Sequence, residues 1–385
     1  MNTLPPLSAY LHLPWCESKC PYCDFNSHAM PSGAGFADRQ ARYIDAMCAD
    51  IQAQSPLATG RSIETIFIGG GTPSLFPPDE IARLLMTLGT AFAVSPDAEI
   101  TMEANPGSLD RRHFEGYRLA GVTRLSIGGQ SLSAAALKRL GRLHTPTDTI
   151  EAVENATEAG FDRLNVDLMY ALPDQTVDEA LADVRAVVEL GVRHISHYQL
   201  TLEPNTRFYA DPPRLPDDDI AAEMMQVTAA MLKDEGLDRY EVSALAADGH
   251  QCQHNLNYWQ FGDYLAFGAG AHGKLSLQAE IHRYVRPMHP AMYEKTGGAG
   301  WQPDAASRVT DAALPFEFML NALRLTAGFS PELFERRTGL PIDVVASPLQ
   351  QAVDQGLLSL HNNVWRPTTL GAQFLNNLVS LFLPD

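Results

Sequence analysis

Short apolar runs alternate with longer stretches in which apolar side chains recur every three to four positions, and this alternation organises the first half of the chain and more. Residues 8–13, Ser-Ala-Tyr-Leu-His-Leu, read as a buried strand, and Tyr43, Ile44, Met47 and Ile51 give 36–54 a helical stripe. The pattern repeats with strands at 64–68, 99–103, 124–127, 163–168 and 194–200. Between them lie helices at 78–92, 110–120, 134–140, 147–159 and 177–190. Strands that alternate with helices pair in parallel through right-handed crossovers. Six such units predict an α/β fold, a partial, open (β/α)6 barrel.

A helix at 218–235 and a strand at 240–242 close a first domain over 1–242. An aromatic, glycine-rich connecting segment follows over 243–310, and its 243–273 part reads as a structured loop. The last domain, 311–385, carries helical patterns at 313–323, 330–338 and 347–355 and a hairpin at 357–360 and 364–366, the order of a small winged-helix-like, mainly helical domain. On this scheme polar and glycine positions gather at the C-terminal ends of the strands. Cysteines follow strand one, residues 69–72 strand two, Glu103 strand three, Gln130 strand four, Asp167 strand five and 199–203 strand six. That face of a parallel barrel is where active sites lie.

The chemistry is concentrated after strand one. Cys16, Cys20 and Cys23 are three of only five cysteines, close enough for one loop to offer three thiolates to one metal centre. No second pair with zinc-finger spacing follows, which disfavours zinc. Three thiolates on a four-iron cluster leave one iron open to a non-protein ligand. A buried cysteine cluster or a disulfide is the plain alternative, while Cys48 reads as a core residue and Cys252 carries no spacing signal.

Composition narrows the partners. A net charge of −18 argues against nucleic acid or an anionic membrane surface. No run of about 18 apolar residues is present, and the opening residues lack a signal-peptide pattern, so a cytosolic protein is expected. Clustered thiols fit a reducing compartment. Gly268-Ala-Gly-Ala-His-Gly273 matches Gly-x-Gly-x-x-Gly without the strand and helix of a dinucleotide site, and reads instead as a loop packed against a neighbouring backbone. The triple glycine at 69–71 lacks the Lys-Ser/Thr of a phosphate loop.

Cys-x3-Cys-x2-Cys, with Tyr22 before the third cysteine, resembles the signature of the radical S-adenosylmethionine (SAM) superfamily. Further stretches, in order, are Ile68-Gly-Gly-Gly-Thr-Pro-Ser, Glu103-Ala-Asn-Pro, Arg124-Leu-Ser-Ile-Gly-Gly-Gln, Asn165-Val-Asp-Leu-Met-Tyr-Ala-Leu-Pro-Asp-Gln-Thr and Tyr240-Glu-Val-Ser. Together they are similar to the oxygen-independent coproporphyrinogen oxidase family, in particular its haem-chaperone group. The resemblance implies a 4Fe-4S cluster on Cys16, Cys20 and Cys23 whose open iron is chelated by SAM. It implies that Tyr10 packs near the cluster and that Gly70, Gly71 and Thr72 contact the SAM amino group. Glu103, Gln130 and Asp167 would meet its ribose and amino group, and Arg142 its carboxylate. For each of these a satisfied barrel residue is the plain reading.

Two functions fit the family: a haem chaperone that passes haem to an acceptor protein, and a coproporphyrinogen III oxidative decarboxylase. The oxidase group carries a further cysteine two positions after the third, where this chain has Phe25, and a longer arm before the cluster than the fifteen residues found here. His254-Asn-Leu-Asn-Tyr-Trp259 matches a motif of the chaperone group. Oxidase activity is therefore not expected, and haem is the expected third cofactor. His254 would be its axial ligand, with Tyr258 and Trp259 shaping the pocket; the plain reading of the three is an aromatic corner that docks the second domain. A homodimer and the identity of the haem acceptor stay open.

Overall fold

The computed structural model describes residues 4–30, 35–107, 113–278 and 280–384. Its centre is six parallel strands in chain order: β1 (Leu7–Leu13), β2 (Ser62–Gly70), β3 (Ala93–Ala104), β4 (Arg124–Gln130), β5 (Arg163–Tyr170) and β6 (His194–Gln199). Neighbours pair parallel throughout, from β1 with β2 to β5 with β6. The expected run of six parallel strand–helix units is what the chain forms, and its helices begin where local chemistry dictates. Thr145 and Thr176 each close a capping box on Pro146–Glu158 and Val177–Glu189, and both helices turn an apolar stripe inward.

The sheet does not stop at six. Beyond β6 come the antiparallel β8 (Ala244–Ala246) and β7 (Asp238–Glu241). Beyond β1 come β9 (Asp263–Phe267), β10 (His272–Leu277) and β11 (Glu280–Val285). The described residues thus form one eleven-stranded sheet, ordered β11-β10-β9-β1-β2-β3-β4-β5-β6-β8-β7. The loop expected over 243–273 is instead a strand, the helix Gln253–Trp259 and β9, which runs parallel to β1 with Leu7 opposite Asp263. The physical reason is burial: Leu265, Ala266 and Phe267 are fully enclosed, so their backbone must find strand partners.

The loop after β9 turns on glycines that admit no side chain. A Cβ on Gly268 would lie 2.3 Å from the His12 carbonyl oxygen, the close backbone approach expected of this stretch. The helix start expected at 110 lies outside the described residues, and Phe114–Ala120 continues it. A second core, from Phe261 through Phe318, Phe334 and Leu349 to Phe382, holds the C-terminal helices and the hairpin of Leu358–His361 with Val364–Pro367.

Candidate cluster and cofactor site at the barrel rim

Strand β1 delivers the chain into the cysteine loop, whose ends are stapled together. Trp15 and Cys16 pair with His28 and Ala29, His28 N donates to the Pro14 carbonyl (2.7 Å) and Met30 N to the Cys16 carbonyl (2.8 Å). Cys16, Cys20 and Cys23 are half-buried free thiols within electrostatic reach of one another. Burial pushes the Cys16 and Cys23 thiols up from their ordinary range. Metal binding reverses that preference, because only the thiolate ligates.

Among the described residues no three His, Cys, Asp or Glu side chains converge on a single metal ion. The donor set is three thiols alone, which suits a cluster that takes one thiolate per iron at three corners and leaves the fourth iron to another ligand. The residues present therefore fit a three-cysteine iron–sulfur cluster better than a mononuclear site.

The rest of the rim closes around this loop. Arg142 donates to Asn105 Oδ1 (2.8 Å), the Gly128 carbonyl (3.0 Å) and Cys20 Sγ (3.6 Å). None of these partners is a carboxylate, so its charge is unanswered by them. A cavity of about 230 Å³, lined by Glu17, Cys20, Asn105 and Arg142 among others, opens there. Tyr22 packs on Phe208, ring centroids 6.3 Å apart, and bonds Cys20.

The Gly70–Thr72 turn reaches the loop by backbone. Gly71 N donates to the Leu13 carbonyl and Thr72 N to the Trp15 carbonyl, both at 2.8 Å, and Gly70 N donates to Glu103 Oε2 at 3.0 Å. Its amides are thus spent within the protein, and an amino group arriving there would have to use carbonyl oxygens. Glycine is needed at 71 because a Cβ would lie 2.6 Å from the Trp15 carbonyl oxygen. Thr72 is buried, bonded to Cys16 and accepting from Asn105 Nδ2 at 3.1 Å.

Glu103 and Asp167 lie inside the last residues of β3 and β5, which run longer than the expected 99–103 and 163–168. Burial, then the neighbouring Asp167, pushes Glu103 up to about 7, against the Gly70 amide that holds it down. Burial also raises Asp167, opposed by its bonds to Asn165, Ser196 and Ser126. Gln130 sits in the left-handed region at φ 64° and accepts from the Tyr198 hydroxyl at 2.7 Å. Tyr10, expected to pack near the cluster, bonds His12 Nδ1 through its hydroxyl (3.0 Å) and packs its ring on Phe67.

Sequence reasoning did not assign Asn105, His12, Asn26 or Tyr198. Asn105 was within reach, since it stands in Glu103-Ala-Asn-Pro.

The aromatic motif lies at the other end. The helix Gln253–Trp259 plugs the N-terminal mouth of the barrel. Gln253 N donates to Glu99 Oε1 (2.7 Å), Asn257 Nδ2 to Ser8 Oγ (2.8 Å), and Arg124 and Arg163 to the carbonyls of His250 and Gln251. His254 is wholly buried, its Nδ1 bonded to Thr65 Oγ1 (2.9 Å) and its ring between Phe67 and Tyr258. Burial pushes its pKa down to about 3, so the ring is neutral. Its Nε2 has no partner but also no path to solvent. Of the other two residues grouped with it as a haem pocket, Tyr258 is packed against Tyr264, and Trp259 lies under the Arg324 guanidinium at 4.3 Å.

A radical SAM superfamily model matches residues 10–187, and a HemN C-terminal domain model matches 309–374. Over their whole lengths, the chain is 44% identical to a protein of Escherichia coli named heme chaperone HemW and 43% identical to its namesake in Haemophilus influenzae. The chain belongs to the HemW family. A Bacillus subtilis HemW is 31% identical over 98% of this chain and 99% of that one, so the family likeness spans barrel and C-terminal domain alike. The solved coproporphyrinogen III oxidase (HemN) from Escherichia coli superposes with a TM-score of 0.81 over 98% of this chain and 90% of that one. At 22% identity that likeness establishes a shared fold between the HemW family and HemN. Among the described residues no helix is long and apolar enough to cross a membrane.

Proposed function

We propose that this protein is a cytosolic haem chaperone: it holds a 4Fe-4S cluster on Cys16, Cys20 and Cys23, binds SAM at the open iron, and passes haem to an acceptor protein. The observation that carries the reading is the rim itself, three mutually close free thiols beside Arg142, a cation whose named partners include no carboxylate. A bound cluster would supply an iron able to chelate an amino acid and to donate an electron. The protein's own side chains then orient that amino acid.

Arg142 takes the carboxylate through a charge-assisted bond, and carbonyls of the Gly70–Thr72 turn accept from the ammonium group. Glu103 and Asp167, deep in the barrel, are acceptors for ribose hydroxyls. Gln130 is held by Tyr198 and offers its amide nitrogen. Phe25, 60% exposed, stands where the oxidase group has a cysteine.

The reading is tested by anaerobic cluster reconstitution followed by parallel haem titration and coproporphyrinogen III turnover. Haem binding without turnover is expected. Turnover would overturn it in favour of the oxidase.

A further inference from the structure

One amide side chain at the rim stands between two of the three cysteines. Asn105 directly follows the last residue of β3, and its backbone is anchored without help from its side chain, because its N–H donates to Ser74 Oγ at 3.1 Å. The side-chain amide is therefore free to serve its neighbours. Asn105 Oδ1 accepts from Arg142 Nη2 at 2.8 Å, and Asn105 Nδ2 donates to Thr72 Oγ1 at 3.1 Å.

The polarity of this chain is fixed from one end. A guanidinium only donates, so the carbonyl oxygen of Asn105 must face Arg142 and its NH2 must face Thr72. A hydroxyl that accepts from an amide keeps its own proton to give elsewhere, and the Cys16 sulfur is bonded to it. At the other end Arg142, held by the same amide and by the Gly128 carbonyl (3.0 Å), turns Nη1 onto Cys20 Sγ, 3.6 Å away. An unbroken path thus runs from Cys16 through Thr72, Asn105 and Arg142 to Cys20. Both of its ends donate to sulfur.

The other contacts of the three sulfurs do not pass through Asn105. Ser27 bonds Cys16 and lies 3.9 Å from Cys23, the Phe25 backbone bonds Cys23, and the Tyr22 hydroxyl bonds Cys20. These groups belong to the cysteine loop itself. Asn105, Thr72 and Arg142 stand instead on β3, on the turn after β2 and just beyond the helix Ala134–Arg139, so the barrel sets their positions. Hydrogen bonds to the sulfurs are among the factors that set a cluster's potential, since a donor offsets the added negative charge of the reduced state.

We propose that Asn105 is a positioning residue that holds up the reduction potential of the cluster, by turning the Thr72 hydroxyl onto Cys16 and the Arg142 guanidinium onto Cys20. The inference rests on the three-cysteine reading of the rim. It also accounts for an amide at this position. A carboxylate would accept from both neighbours and take the Thr72 proton for itself, while a methyl group would leave both donors unaimed.

The test is a redox titration of the reconstituted full-length protein without SAM, at matched cluster content, read by the spectrum of the reduced cluster. The proteins are wild type, Asn105→Ala, Asn105→Asp, Thr72→Val and the double variant Asn105→Asp with Thr72→Val. One electron from dithionite enters the cluster and no bond breaks. Loss of one donor to sulfur should change the oxidised-to-reduced ratio at a fixed potential about tenfold, which for a one-electron couple is a fall of about 59 mV. Asn105→Ala should fall at least that far. Asn105→Asp adds a charge of its own, so its shift should be larger in the wild-type background than in the Thr72→Val background. A residue that only propped the turn would alter melting temperature and leave the potential alone. Wild-type potentials in both Asn105 variants, or equal Asn105→Asp shifts in the two backgrounds, would overturn the proposal while leaving the cluster assignment standing. Loss of the cluster from both folded variants would do the same, by making Asn105 a structural support. A wild type that takes up no cluster would overturn both.

Discussion

The rim and the floor of the barrel are built from opposite ends of the same six strands, and they differ in what their charged groups face. At the floor, Asp263 is fully buried and meets Arg61 Nη2 (2.9 Å), Lys274 Nζ (3.0 Å) and the Ser276 hydroxyl (2.9 Å), while Arg163 closes on Glu99 at 3.1 Å. At the rim, Arg142 hydrogen-bonds amide oxygens and a sulfur and attracts Asp167 without hydrogen-bonding it, Glu103 and Asp167 repel one another, and three thiols share one loop. Charges paired with opposite charges hold the fold together. Charges set beside one another, or beside soft donors, stay available to a ligand, and burial keeps them costly until it arrives.

This contrast can be broken at either end. Cys16→Ala, Cys20→Ala or Cys23→Ala should abolish the reconstituted cluster's absorbance while Cys48→Ala and Cys252→Ala keep it; cluster loss in a folded Cys48 or Cys252 variant would refute the three-thiol assignment. Asp263→Ala leaves Arg61 and Lys274 buried without their counter-charge and should destabilise the protein by about 3–5 kcal/mol in denaturant unfolding. A cost under about 1 kcal/mol would mean that the floor is not held by this network.

Arg142→Ala removes a charge-assisted contact of roughly 1.5–3 kcal/mol and should weaken SAM by about one to two orders of magnitude in equilibrium binding, with little change in melting temperature. An unaltered SAM affinity would take Arg142 out of the site.

The most gradual effect is that of pH. Glu103 is raised to about 7 in the folded protein, so the native state holds a proton that the unfolded chain has already released. Between the ordinary carboxylate range and about 7, rising pH therefore destabilises the cluster-free protein, by at most about 1.4 kcal/mol per pH unit. His12, His144 and His254 act in the opposite sense below pH 6.5, because burial depresses them and unfolding then takes up protons. Comparing Glu103→Gln with wild type isolates the carboxylate: the variant's unfolding curve should lose this slope, and an identical pH profile would remove Glu103 as its source.

The rim was legible in the sequence and the floor was not, for a physical reason. Each rim feature announces itself locally: cysteines at close spacing, three consecutive glycines, carboxylates at the ends of apolar strands. The helix Phe36–Gln54 was legible to the residue, because its stripe of Tyr43, Ile44, Met47 and Ile51 repeats cleanly. The floor depends on contacts across the whole chain, such as His254 with Thr65 and Asn257 with Ser8. An imidazole beside two aromatic rings has the same composition whether it grips iron or fills a corner, so local sequence alone does not reveal its surroundings. β9 was missed because its five residues are hidden among glycines whose need arises from His12 and Asn26, far away in sequence.

The insertion of β1 between β2 and β9 has a consequence for synthesis. Its β2 partner starts at residue 62, but its other neighbour starts only at 263, so the strand that leads into the cysteines keeps one open edge until two-thirds of the chain has been made. Exposed edges of this kind recruit foreign strands, and pairings so distant in sequence form late. A nascent chain emerging from the ribosome thus carries its cysteine loop on an unprotected edge. Chains cut off before residue 263 should accordingly aggregate rather than accept iron.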